Sequence, residues 1–182
     1  MNRALFLDRD GVIDALVQHD DGEWGAPLRP EHVQLLPGAV DALRRAASGG
    51  WLLFVVTNQP DAAKGKTTQG SLHAVHEELL RQLGDAPITE FFYCFHRAED
   101  LCACRKPSPY FVEHAARYHS VDLSRSWFAG DADTDIECGR RAGCRTALID
   151  YPHSQHRRTG QQADLTCTDL PHFVSILSQE KA

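Results

Sequence analysis

Residues 3–11 read RALFLDRDG, an apolar run that ends in two aspartates separated by one arginine. Successive side chains of a strand point to opposite faces, so Asp8 and Asp10 should converge on one side while Arg9 points to the other. Two unit charges about 4 Å apart repel by roughly 4 kcal/mol at an effective dielectric constant near 20. The aspartate pair therefore needs water or a cation between its members, although Asp and Gly are also common in solvated turns.

Composition and charge limit the class of protein. With 182 residues, 42% hydrophobic and 24% charged, the chain suits one globular α/β domain over residues 1–182. The net charge of −6 argues against nucleic acid and anionic membranes, so the expected partner is a small molecule. No run comes near the roughly 18 apolar residues of a membrane span, and no signal-peptide pattern is present, which predicts a cytoplasmic protein. In that reducing compartment the six cysteines are expected to be free thiols or metal ligands.

Apolar runs and amphipathic segments alternate along the chain. The runs suit buried strands and cover residues 4–7, 51–57, 88–95, 127–130 and 146–149. Helical patterns lie between them, at 37–50, 72–84, 109–119 and 133–143. This alternation predicts an α/β fold with a doubly wound, Rossmann-like parallel sheet, whose ligands bind beyond the carboxyl ends of the strands. Residues 151–164 predict a long loop before a short helix over 171–177.

Polar residues stand where four of the predicted strands would meet a ligand. They are Asp8 and Asp10 after the first strand, Thr57 and Asn58 at the end of the second, Lys106 before the third helix, and Asp131 to Asp135 after the fourth. Phosphoryl transfer through an aspartyl-phosphate needs a carboxylate nucleophile, a proton donor, a hydroxyl and an amide for the phosphoryl oxygens, a fixed cation and acidic metal ligands. Taken singly, such residues are usually solvated, but together they supply this set in order.

These motifs resemble those of the haloacid dehalogenase (HAD) superfamily of phosphatases over nearly the whole chain. The matching residues are Asp8-Arg9-Asp10-Gly11, Thr57-Asn58-Gln59, Lys106, and Gly130-Asp131 through Asp135. The stretches DRDGVI, LLPGAVDAL, TNQ and CACRKP are similar to the branch that contains the heptose-bisphosphate 7-phosphatases and the histidinol-phosphatase domains. The intervals between the motifs have no room for the cap domain of many relatives, so a capless HAD-like domain is expected.

The resemblance implies a role for each motif. Asp8 would attack phosphorus, while Asp10 would protonate the leaving oxygen and later accept a proton from water. Mg²⁺ would lie between Asp8, the backbone carbonyl of Asp10 and Asp131, which would offset the repulsion between the carboxylates. Thr57 would contact the phosphoryl oxygens, and Lys106 would add fixed positive charge.

Other acidic residues and histidines are expected to have lesser roles. Asp135 is expected to hold the loop or the waters of the metal. Asp14 and Asp133 are expected to be surface or turn residues. His73 and His76 share a helix face with Glu77, but no further metal ligand is in sight, so these histidines are expected to be solvent-exposed.

Residues 94–104 contain Cys94, His96, Cys102 and Cys104 directly before Lys106. Free cysteine is commonly buried, so scattered core thiols are the simplest explanation. However, three sulfurs and one imidazole in a polar loop supply the Cys₃His set of structural zinc sites, although the one-residue gaps are tighter than zinc-finger spacing. The resemblance supports Zn²⁺ because the same phosphatase branch carries a zinc loop here. We therefore expect structural zinc in this loop and catalysis by Mg²⁺.

The expected substrate is a small phosphorylated metabolite, most simply a sugar phosphate of carbohydrate metabolism. Asn58, Gln59, Lys64 and Arg105 are expected to bind it, with Arg105 beside the catalytic lysine. The resemblance implies loss of the 7-phosphate of D-glycero-D-manno-heptose 1,7-bisphosphate. The sequence does not encode the oligomeric state in a readable pattern, and a capless monomer is the default expectation. Histidinol phosphate, or another small phosphorylated metabolite, is the alternative.

Two functions of other classes also use parts of this pattern. A phosphorylated signalling receiver combines carboxylates, a threonine and a lysine on a doubly wound sheet, but its phosphoryl acceptor follows a later strand. A non-catalytic zinc-loop scaffold would not need the full set of acidic residues with Lys106. The order and completeness of the motifs therefore favour a phosphatase.

Overall fold

The computed structural model describes residues 1–179, and its centre is a parallel β-sheet. The strands in chain order are β1 (Arg3–Leu7), β2 (Val17–Gln18), β3 (Trp24–Gly25), β4 (Trp51–Asn58), β5 (Glu90–Cys94), β6 (Trp127–Gly130), β7 (Arg145–Ile149) and β8 (Leu165–Cys167). Six of them form one sheet in the order β5-β4-β1-β6-β7-β8, and every neighbouring pair is parallel. Because β1 lies between β4 and β6, Asp8 and Asp10, which follow β1, lie near the middle of the carboxyl edge of the sheet.

Helices cover both faces of this sheet. They are α1 (Ala39–Ser48), α2 (Gln69–Leu83), α3 (Tyr110–His119), α4 (Asp133–Ala142) and α5 (Leu170–Leu177). The alternation of β1 divides the core, since Leu5 and Leu7 pack with α1, α2 and α5, whereas Ala4 and Phe6 pack with α3 and α4. The predicted doubly wound α/β fold is therefore confirmed. Among the described helices, none combines the length and apolar character that crossing a membrane requires.

Three segments differ from the sequence-based expectation. The third strand is shorter than the predicted 88–95, because the chain leaves the sheet after Cys94, and Phe95 is 46% exposed. Strand β8 was not predicted, since three residues are too few to show a periodicity. The expected loop over 151–164 contains a 3₁₀ turn at Pro152–Arg157.

The interval between β1 and α1 contains a small antiparallel hairpin of β2 and β3, not a cap domain. Trp24 of this hairpin stacks on His153 of the 3₁₀ turn, with ring centroids 3.7 Å apart and planes 12° apart. The hairpin and the turn therefore support each other beyond the carboxyl edge of the sheet.

Candidate active site

A cleft of about 460 Å³ lies at the carboxyl edge of the sheet. It is lined by Asp8, Asp10, His19, Glu23, Trp24, Gly25, Ala26, Asn58, Pro60, Asp61, Lys64, Lys66, Arg105, Lys106, Ala132, Thr134, His156 and Arg157. Asp8 and Asp10 follow β1 and both face this cleft, whereas Arg9 is buried and borders a separate cavity. This is the alternation that the DRD sequence predicts.

Lys106 is held beside Asp8 by two carboxylates and one backbone carbonyl. Its Nζ lies 2.7 Å from Asp8 Oδ1 and 2.6 Å from Asp135 Oδ1, and it donates to the backbone carbonyl of Val56 at 2.7 Å. The hydrogen bond to Val56 and the two ion pairs with Asp8 and Asp135 together fix the position of the ammonium. Burial disfavours the charged form, but Asp135 and Asp8 outweigh burial and raise the pKa of Lys106, which therefore stays protonated.

Asn58 positions the backbone of Lys106. Its Nδ2 donates to the Lys106 carbonyl at 3.2 Å, and its Oδ1 accepts from the Lys106 N–H at 3.1 Å. Asn58 also borders the cleft. Its contact with the substrate stays a prediction. The end of β4 is thereby joined to the loop that carries the lysine.

Asp8, Asp131 and Asp135 form an acidic cluster, with one carboxylate oxygen from each within 4.8 Å of the others. Gly11 makes this approach possible, because its φ is +86° and a Cβ atom there would lie 2.3 Å from Asp131 Oδ2. Neither carboxylate oxygen of Asp131 accepts a hydrogen bond within the part of the chain that the structure describes. A buried carboxylate without donors is costly, so this cluster suits a cation.

The acidic cluster has the electrostatics of a site for a hard cation. Burial, followed by the charge of Asp8, raises the pKa of Asp131 well above its usual range. The same two causes raise the pKa of Asp135 to about 6. Carboxylate oxygens are the ligands that Mg²⁺ prefers. The structure thus brings together the predicted ligands Asp8 and Asp131 and adds Asp135, which also accepts from the Ala132 N–H at 3.1 Å.

Three buried side chains contact the carboxylate of Asp10. Arg9 Nη2 donates to Oδ1 at 2.5 Å, while Gln59 Nε2 donates to Oδ2 at 2.5 Å and to Thr57 Oγ1 at 2.9 Å. Thr57 Oγ1 itself lies 3.5 Å from Asp10 Oδ2. The prediction that Gln59 faces the substrate is wrong in this structure, because Gln59 is 1% exposed and its amide is directed at Asp10.

Of the two aspartates that were predicted to be surface or turn residues, Asp14 differs from that prediction and Asp133, in the first turn of α4, does not. Asp14 is fully buried, and its Oδ2 lies 3.5 Å from Arg9 Nε, so its expected surface position is wrong. Burial, followed by Asp10, raises the pKa of Asp14. Asp133 is half-buried and accepts hydrogen bonds from the backbone and hydroxyl of Thr159, which ties α4 to the following loop.

Cationic side chains surround the acidic centre. The predicted Lys64 and Arg105 both border the cleft, and Arg105 Nη1 donates to the His96 carbonyl at 3.0 Å. Lys66 and Arg157 border it as well, and of these two the sequence reasoning missed only Arg157. Arg157 follows β7 within the loop 151–164, and the usual position of ligands beyond strand ends was the signal that could have identified it.

Cys94, His96, Cys102 and Cys104 converge in the predicted loop. The three sulfurs lie 3.5–3.7 Å apart, and His96 Nδ1 lies 3.6 Å from Cys94 Sγ and 3.5 Å from Cys104 Sγ. A tetrahedral ion with Zn–S near 2.3 Å and Zn–N near 2.05 Å requires S–S and S–N distances of about 3.8 and 3.6 Å. The four donors therefore have the spacing of a tetrahedral zinc site.

The histidines of α2 behave differently from each other. His73 is exposed, as predicted. His76 is half-buried instead, because its Nδ1 lies 2.5 Å from the Tyr93 hydroxyl and its ring packs against Phe91. The expected exposure of His76 is therefore wrong, and burial lowers the pKa of its imidazole.

Fold and site together define a hydrolase of the HAD class. A family model of HAD-like hydrolases matches residues 103–172, which include Lys106 and the acidic residues after β6. The crystal structure of D,D-heptose 1,7-bisphosphate phosphatase from Bordetella bronchiseptica, complexed with magnesium and phosphate, superposes with a TM-score of 0.84. That structure is 29% identical in sequence, and the match covers 98% of this chain and 99% of that one.

Curated relatives identify the family more closely. D-glycero-β-D-manno-heptose-1,7-bisphosphate 7-phosphatase of B. bronchiseptica is 33% identical, with 98% of this chain and 99% of the relative covered. The protein of the same name from Pseudomonas aeruginosa is 35% identical, with 82% of each chain covered. The chain belongs to this family of heptose-bisphosphate 7-phosphatases and is a phosphoric monoester hydrolase.

Proposed function

We propose that the protein hydrolyses the 7-phosphate of D-glycero-β-D-manno-heptose 1,7-bisphosphate through an aspartyl-phosphate on Asp8. The observation that carries this proposal is the convergence of Asp8, Lys106 and the acidic cluster at one end of a cleft with a cationic rim. The relatives named above are 7-phosphatases of this sugar, and their names specify the β-anomer.

The reaction proceeds in two displacements. Asp8 forms a bond from a carboxylate oxygen to phosphorus as the bond from phosphorus to O7 of the sugar breaks, and Asp10 gives its proton to O7. Water then attacks the aspartyl-phosphate, Asp10 accepts a proton from it, and phosphate leaves with Asp8 restored. Arg9, Gln59 and Thr57 keep the Asp10 carboxylate facing the cleft throughout.

Asp8, Asp131 and the backbone carbonyl of Asp10 are proposed to hold Mg²⁺, with Asp135 supporting the site through its contact with Lys106. When bound, the ion neutralises the carboxylates and polarises the phosphoryl oxygens. Lys106 supplies the second positive charge beside Asp8.

Cys94, His96, Cys102 and Cys104 are proposed to bind structural Zn²⁺. All four ligand positions are then filled by protein, which leaves none for substrate. Without a metal, burial raises the pKa of the Cys94 thiol to about 12, so a thiolate there needs a nearby cation. The role of the zinc loop is to fix the segment that carries Arg105 and Lys106.

The cations at the open end of the cleft are proposed to bind the non-reacting end of the substrate. Arg105 presents a planar guanidinium beside Lys106, and Lys64 lies on the exposed rim. A guanidinium binds phosphate oxygens in a bidentate manner, which suits the 1-phosphate of a bisphosphate. The six cysteines form no disulfide, which suits a reducing compartment, and a cytoplasmic monomer is part of the proposal.

The proposal is tested by measuring kcat/KM for both anomers of the heptose bisphosphate and for histidinol phosphate at saturating Mg²⁺. We expect the β-anomer to have the highest value. Arg105→Gln should lower kcat/KM for the bisphosphate while leaving p-nitrophenyl phosphate, which has no second phosphate, nearly unaffected. Values for both anomers below that for histidinol phosphate would overturn the heptose assignment.

A further inference from the structure

Arg157 is a cation at the catalytic end of the cleft that the motifs do not include. It ends the 3₁₀ turn Pro152–Arg157, and its side chain is 26% exposed. Its Nη1 lies 3.7 Å from Asp131 Oδ2, beside the acidic cluster and not at the outer rim. Among residues 1–179, the Arg157 guanidinium makes this ion pair but donates no hydrogen bond. Its N–H donors therefore remain available to an anion in the cleft.

The position of Arg157 is set by the next residue. Arg158 Nε donates to the Asp131 carbonyl at 3.0 Å, and its Nη2 donates to Tyr151 O at 2.9 Å and Ser154 Oγ at 2.7 Å. Arg158 also pairs with Asp150. These contacts attach the 3₁₀ turn to the loop that contains Asp131.

A second support comes from the opposite wall of the cleft. The stack of Trp24 on His153 braces the same 3₁₀ turn against the hairpin. Arg157 is thus presented on a held turn, and binding an anion would require little additional ordering of the chain.

The charges of the site indicate what this guanidinium binds. In the cleft, Asp131 is the anionic partner of Arg157 at 3.7 Å, and the acidic cluster suits a divalent cation. A cation held by Asp131 would replace Arg157 as the compensating charge and repel it. The guanidinium would then favour the nearest other anion, and planar N–H donors match phosphoryl oxygens well.

We propose that Arg157 binds a non-bridging oxygen of the phosphoryl group that is transferred to Asp8. This inference rests on the proposed phosphatase reaction and adds a substrate-binding residue to it. It differs from the role of Arg105, because Arg157 contacts the reacting phosphate and is needed for any phosphate monoester.

The test compares Arg157→Gln, Arg157→Lys and the control Arg141→Gln, which removes an exposed cation paired with Glu137 on α4. Calorimetry measures the binding of inorganic phosphate in the presence of Mg²⁺, and of Mg²⁺ alone. We expect Arg157→Gln to weaken phosphate binding about 10- to 100-fold, the loss of one charge-assisted contact. KM for p-nitrophenyl phosphate should rise by a similar factor, Arg157→Lys should recover part of both losses, and the control should match the wild type.

Binding of Mg²⁺ separates this role from a structural one. Because Arg157 repels a cation at Asp131, Arg157→Gln should bind Mg²⁺ as tightly as the wild type or more tightly. Weaker Mg²⁺ binding would show that Arg157 only holds Asp131, and would overturn the proposal. Unchanged phosphate affinity and KM would overturn it as well. Neither readout uses the heptose substrate, so failure of the heptose assignment would leave this test intact.

Discussion

Replacing Lys106 by methionine removes one buried charge at nearly constant side-chain length. Each of its contacts with Asp8 and Asp135, at 2.7 and 2.6 Å, corresponds to roughly 6 kcal/mol of Coulomb attraction at an effective dielectric constant near 20. Much of this attraction is already present before the reaction, so only a part appears in the rate. By analogy with the loss of one fixed oxyanion donor, about 2–4 kcal/mol of transition-state stabilisation is expected to disappear.

The expected kcat of Lys106→Met is therefore about 30- to 1,000-fold below the wild type. The assay is hydrolysis of p-nitrophenyl phosphate at saturating Mg²⁺, with Arg125→Met, a change at an exposed cation, as the control. Without metal, Asp8 and Asp135 would be left uncompensated, and the variant should lose about 3–5 kcal/mol of unfolding free energy. Mg²⁺ should restore part of that stability. A folded variant with kcat within about threefold of the wild type would refute the role of Lys106 as a fixed catalytic charge.

Three further predictions concern the nucleophile, the zinc loop and pH. Asp8→Asn should abolish turnover without unfolding the protein, because an amide is not a competent nucleophile, and near-normal kcat at saturating Mg²⁺ would exclude covalent catalysis. Elemental analysis should find one zinc per chain, and Cys102→Ser should lower kcat about 100-fold if Lys106 shifts by about 1 Å, whereas a zinc-free, fully active protein would contradict this. The raised pKa of Asp135, about 6, means that the metal-free folded state keeps a proton that the unfolded state loses, so stability should fall as pH rises from about 4 to about 6. Mg²⁺ or Asp135→Asn should reduce this slope, and a slope insensitive to both would count against the cluster.

Much of the site was predictable because its residues are local in sequence to the strand ends. The run RALFLDRDG predicts both a buried strand and the two carboxylates after it. The spacing of the cysteines predicts the four donors of the proposed zinc site. The structure brings these side chains together because parallel strands place their carboxyl ends at one edge of the sheet.

The residues that were missed depend on contacts between distant segments. Arg157 lies in a polar loop without periodicity, and its position is set by the bond from Arg158 to Asp131. Buried Asp14 pairs with Arg9, and the inward position of Gln59 is set by its hydrogen bond to Asp10. Local sequence patterns carry no signal for such tertiary ion pairs, since the same residue types are more often exposed.

The most direct test of the proposed activity is ³¹P NMR of D-glycero-β-D-manno-heptose 1,7-bisphosphate incubated with the enzyme and Mg²⁺. We expect the resonance of the 7-phosphate to disappear as inorganic phosphate appears, while the 1-phosphate resonance persists, and we expect no reaction with Asp8→Asn. Release of the 1-phosphate, or no phosphate release by an enzyme that is active on p-nitrophenyl phosphate, would contradict the proposed function.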